Sequence, residues 1–70
     1  MIIHIKNINA PHERIENFLN QLVGVGKWTR IKDTYTIPDT DEQAYEQMIE
    51  FEKELKEEAN VTIFIKKNGL

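Results

Sequence analysis

Lys27-Trp28-Thr29-Arg30-Ile31-Lys32-Asp33-Thr34-Tyr35-Thr36-Ile37 is the stretch on which the fold of this 70-residue chain turns. Read as one strand it is unusually long, since strands of about five or six residues are commonest. Read as a hairpin it supplies two ordinary strands around Asp33, a turn-former. We therefore expect a hairpin, although no Gly marks its tip. Parity then bears on the loop. A two-residue loop at Lys32-Asp33 puts Ile31 and Thr34 on the same face, and would bury Thr34 and Thr36 with Ile31. A three-residue loop over Lys32-Asp33-Thr34 instead aligns Ile31 with Tyr35 and Ile37. The second arrangement keeps the large apolar side chains together and is the expectation here.

Upstream, Gly24 and Gly26 suit a helix C-terminus. Before them Ile15, Phe18, Leu19, Leu22 and Val23 fall at i, i+3, i+4, i+7 and i+8, one apolar stripe of a helix. Pro11 fits its first turn, with Asn9 or Ala10 as cap. Residues 2 to 8 alternate, Ile3 and Ile5 on one side and Ile2, His4 and Lys6 on the other, which predicts a strand.

Downstream, Thr40-Asp41-Glu42-Gln43 has the form of a capping box, Thr40 accepting from the third helical amide while Gln43 reaches back. Ala44, Met48, Phe51 and Leu55, flanked by Tyr45 and Ile49, give the second buried stripe. Glu57 and Glu58 oppose the macrodipole, so the helix should fray there. Val61-Thr62-Ile63-Phe64-Ile65-Lys66 alternates again as a last strand, with Val61, Ile63 and Ile65 inward. The order is strand, helix, strand, strand, helix, strand. It predicts one α+β domain over residues 1–70, ferredoxin-like βαββαβ, with two helices on one face of a four-stranded antiparallel sheet. The expected core is Ile3, Ile5, Ile15, Phe18, Leu22, Ile31, Met48, Phe51, Leu55, Ile63 and Ile65.

The segment Val25-Gly26-Lys27-Trp28 through Ile37 resembles part of the SinR-like family and of its relative, the small nuclease of CRISPR adaptation, second of the Cas proteins. There too a helix ends in Gly and leads into a Trp-centred strand, a short turn, an aromatic-bearing strand, a Thr/Ser-Asp helix start and a Val/Ile-rich last strand. Thr40 to Leu55 and Val61 to Ile65 follow that order. The resemblance implies the hairpin, the ferredoxin-like fold and a homodimer. The nuclease members hold a divalent metal across the dimer with an aspartate at the end of the first strand. Here Lys6 and Asn7 stand in that region and no carboxylate precedes Glu13. A hard cation needs oxygen ligands, so the resemblance does not carry metal-dependent nuclease activity with it.

Composition narrows the function classes. Nine Lys and Arg against 12 Asp and Glu give a formal charge of −3, which argues against coating duplex DNA. Cysteine is absent, and so is serine, which removes the usual covalent nucleophiles. No disulfide supplements so small a core, and association is the remaining source of stabilisation. No run approaches a membrane span and Met1 to Lys6 is too short for a signal segment, so the expected location is cytoplasmic. His4 and His12 lack metal-ligand spacing, and Gly24-Val25-Gly26-Lys27 follows a helix where a phosphate loop would precede one. We expect no enzyme, no metal and no cofactor.

Two surfaces remain. Inward Ile31, Tyr35, Ile63 and Ile65 would leave Ile2, His4, Trp28, Arg30 and Phe64 on a sheet face no helix covers, unless a bulge reverses one strand. Such an apolar, aromatic face predicts a homodimer, and alternatively a platform for single-stranded nucleic acid, with Lys6, Arg30 and Lys66 supplying charge. Glu46, Glu50, Glu54 and Glu57 form an acidic outer face of the second helix, a solvated surface or a site for a basic protein partner. The expectation is a non-catalytic protein-interaction module acting as a homodimer, of the kind found among antitoxins, mobile-element accessory proteins and inhibitors of defence systems.

Overall fold

The computed structural model describes residues 1–68. Its elements are β1 (Ile2–Asn7), α1 (His12–Leu22), β2 (Thr29–Ile31), β3 (Thr34–Ile37), α2 (Glu42–Glu54) and β4 (Ile63–Asn68), with one π turn, Leu55–Ala59, closing α2. The antiparallel sheet runs β2-β3-β1-β4. This is the α+β, ferredoxin-like arrangement the periodicity called for. Both helices bury their stripes on the same side of the sheet, where Ile15, Leu19, Met48, Phe51 and Leu55 pack on Ile3, Ile5, Tyr35, Ile37 and Ile63. Phe18 and Phe51 join the helices face to face, centroids 3.9 Å apart.

Local chemistry moves the helix starts by one residue. Asn7 is buried and turns the chain, its Oδ1 accepting from the Ala10 amide and its Nδ2 donating to the Ala10 carbonyl, both at 2.8 Å. With Ala10 held there, Pro11 takes the cap position of α1 without a side-chain cap. Asn9 accepts instead from the Thr62 amide at 2.7 Å. In α2 the cap is Asp41, whose Oδ1 accepts from the Ala44 amide at 2.8 Å. Thr40 is occupied elsewhere: its hydroxyl donates to the Ile37 carbonyl, and its backbone pairs with Met1 at 3.0 and 2.8 Å. The next cap-forming residue therefore serves. Glu57 and Glu58 do not fray the helix as expected. The turn widens to π geometry, and Asn60, at φ 56°, ends it in the left-handed region. The Val61 amide then donates to the Leu55 carbonyl, and Leu55 stays buried.

The hairpin exists, but its loop differs from the expectation. Lys32 and Asp33 alone form it, with Thr29, Arg30 and Ile31 opposite Thr36, Tyr35 and Thr34. Lys32 takes the positive φ, 55°, that lets a two-residue loop match strand twist. Ile31 therefore lies on the uncovered side, 75% exposed, and is not a core residue. Arg30 shares the helix side with Tyr35. Apolar character alone does not bury Ile31. Helix α1 offers polar partners over β2, and these suit Trp28 and Arg30 better than they would suit isoleucine.

Ile37→Ala should cost about 2–5 kcal/mol through the cavity it opens, whereas Ile31→Thr should change stability by less than about 0.5 kcal/mol. Urea denaturation of both variants checks the assigned parity, and equal losses would reverse it.

Candidate functional site

Most of the interacting polar side chains gather beneath α1. The Tyr35 hydroxyl donates to Glu16 Oε2 at 3.0 Å and lies 2.6 Å from His12 Nδ1, while His12 Nε2 is 3.3 Å from Asp33 Oδ1. Arg30 donates to the same Glu16 oxygen at 2.8 Å and packs over the Tyr35 ring. Trp28 meets that ring edge-on and donates its indole N–H to Asn20 Oδ1 at 2.8 Å. Hydrogen bonds from Arg30 and Tyr35 hold the Glu16 carboxyl below the usual carboxylate range. Burial, and then Glu16, push the Tyr35 phenol above its ordinary value, and Glu16 does the same for the guanidinium of Arg30. Tyr35 thus stays neutral and Glu16 charged near neutrality. Each group's preferred partner is another member of the cluster, which fastens α1 to the hairpin.

Trp28 and Arg30 are therefore not on the uncovered face, as parity had suggested. That face carries Ile2, His4 and Phe64, as expected, together with Ile31, which was not expected there. Cross-strand register defines two rungs: Ile31, Thr34, Lys6 and Phe64, then Thr29, Thr36, His4 and Lys66. His4 Nδ1 lies 3.1 Å from the Thr36 hydroxyl. Phe64 is 57% and Ile2 41% exposed. Lys6 and Lys66 are exposed, Lys32 stands at the rim, and neither rung contains a carboxylate. Asp33, the nearest, is turned toward His12. A basic face thus sits on a chain of net charge −3. Threonine, lysine and isoleucine carry little sequence signal as a group, and only the register reveals that they share a surface.

On the opposite side of the molecule Glu46, Glu50, Glu54 and Glu57 are all exposed. Among the described residues, no three carboxylate or imidazole groups converge as a metal site would need, and no helix is long and apolar enough to cross a membrane. No family model matches the chain, nor does any curated protein or solved structure.

Because the Glu16 carboxyl is lowered in the folded state, its contribution to stability is complete above its ordinary value of 4.5 and is lost as pH falls through the lowered one. Glu16→Gln should therefore destabilise the protein at about pH 7 and differ progressively less from the unsubstituted chain as pH drops below 4.5. Urea midpoints across that range test this, and a constant difference would contradict it.

Proposed function

We propose that the chain is a non-catalytic binding module whose uncovered sheet face takes a single-stranded nucleic acid. The observation that carries this reading is the pairing of exposed Phe64 with Lys6 and Lys66 on rungs free of carboxylates. Lysines attract a phosphate backbone, and an exposed aromatic ring gives a base somewhere to stack. Hydroxyls of Thr29, Thr34 and Thr36 and the imidazole of His4 add hydrogen-bonding groups on the neighbouring strands. An open sheet suits an extended single strand better than a duplex, whose rigid grooves a flat surface does not enter.

The face-to-face homodimer expected from Ile2, His4, Trp28, Arg30 and Phe64, centred on Trp28 and Phe64, loses support once Trp28 and Arg30 lie on the helix side. Ile31 and Phe64 lie on opposite edge strands, about 14 Å apart at ordinary strand spacing, with Thr34 and Lys6 between them. Stacking two such faces would bring lysines toward lysines with no carboxylate to offset them. The exposed stripe Glu46, Glu50, Glu54 and Glu57 supports a separate reading, a basic protein partner on the helix side, which leaves the sheet face free.

Fluorescence anisotropy with a labelled single strand of about 12 nucleotides tests the proposal. About three lysine contacts predict a log–log salt slope of roughly −2. Phe64→Ala should weaken binding about 5- to 100-fold, Lys6→Glu with Lys66→Glu should abolish it, and Glu50→Gln should not weaken it. Undiminished binding by the double lysine variant, or none by the unsubstituted protein at low salt, would refute the reading.

A further inference from the structure

The uncovered face continues past its second rung. At the β2 edge, Thr29 and Thr36 of that rung also line a cleft of about 420 Å³, whose other walls include Lys27, Trp28, Pro38 and Asp39. Sheet face and cleft are therefore one surface, joined through two threonines.

Trp28 is half-buried and stands immediately before β2. Its ring is held at two points: the indole N–H donates to Asn20 Oδ1 at 2.8 Å, and the ring packs on Tyr35 at 62°, centroids 5.5 Å apart. A ring already immobilised loses little freedom when something stacks on it, which is the advantage of a preorganised platform. The mouth is open, since no described atom beyond its immediate neighbours lies within 4 Å of where a side chain at Gly26 would begin.

Two charges border this space. Lys27 and Asp39 are exposed, and neither belongs to an ion pair among the described residues. The carboxylate of Asp39 repels a phosphate but accepts from N–H donors, and every nucleobase carries such a donor on its pairing edge. The ammonium of Lys27 favours the anionic backbone that carries the base. An aliphatic side chain from a protein partner would use the ring and neither charge.

We infer that this cleft takes one base of the strand that crosses the sheet face, stacked on the indole of Trp28. The inference rests on the nucleic-acid reading and adds a second aromatic platform to it. Phe64 and Trp28 then stand near opposite edges of the sheet, with His4, Lys6 and Thr36 between them, so a bound strand runs across the four β-strands rather than along one of them.

Trp28 is the only tryptophan in the chain, so its emission reports on the cleft directly. Titration with the unlabelled oligonucleotide should quench that emission with the midpoint seen by anisotropy, and the bound strand should shield the indole from acrylamide. Trp28→Leu should weaken binding about 5- to 100-fold, its folding checked by a urea transition, and Trp28→Phe, which keeps a ring, should recover most of that loss. Phe64→Ala should weaken binding yet leave the quenching at saturation, which separates the two platforms. Anisotropy that reports binding while emission and acrylamide access stay unchanged, or a folded Trp28→Leu protein of undiminished affinity, would overturn this inference and leave the sheet-face reading in place. No anisotropy change at low salt would overturn both.

Discussion

Tyr35 is the residue around which the molecule is arranged. It sits on an interior strand with its ring fully buried, yet it carries a hydroxyl that needs a partner. Helix α1 provides two, Glu16 and His12, one turn apart on the same face. Once that bond is made, the Glu16 carboxylate is fixed above β2 and draws Arg30 to the helix side, and Trp28 follows at the next inward position to reach Asn20. The parity of β2 is therefore decided by polar satisfaction above Tyr35, and the apolar Ile31 goes outward as a consequence.

That one choice determines what the other face of the sheet offers. Had Trp28 and Arg30 been outward, the face would have held a large aromatic cluster suited to meeting its own copy. With them inward, it holds lysines, threonines and two separated aliphatic residues, with Phe64 beside the free edge. The helix layer meanwhile carries most of the carboxylates on its outer surface. The uncovered face carries Lys6 and Lys66 with no carboxylate on their rungs, while the helix side carries carboxylates and cations together. A chain acidic in total can on this account attract an anion locally, since steering depends on the field near the site rather than on the sum.

Much of the fold was legible because its signals are periodic. Ile3 and Ile5 against Ile2 and His4, or Ile15 and Leu19 along a helix, repeat at the spacing their element requires, and the structure buries them accordingly. The helix caps were legible to within one residue, since Thr40 and Asp41 are both good caps and a distant contact to Met1 decides between them. The loop at Lys32-Asp33 was not legible. Its register depends on contacts from Glu16 and Asn20, which are distant in sequence and polar, so the apolar pattern carries no sign of them. The site suffered most. Ile2, His4 and Phe64 were placed correctly because β1 and β4 alternate cleanly, while Trp28 and Arg30 inherited the error in the hairpin.

The central claim is that the uncovered sheet, rather than the helix layer, is the surface this domain offers to its ligand. Amide chemical-shift mapping during titration with a short single-stranded oligonucleotide tests it most directly. The account predicts perturbations concentrated at His4, Lys6, Thr34, Thr36, Phe64 and Lys66, with α2 from Glu46 to Glu54 unmoved. Shifts centred on α2, or a spectrum unchanged by a large excess of the oligonucleotide, would contradict it.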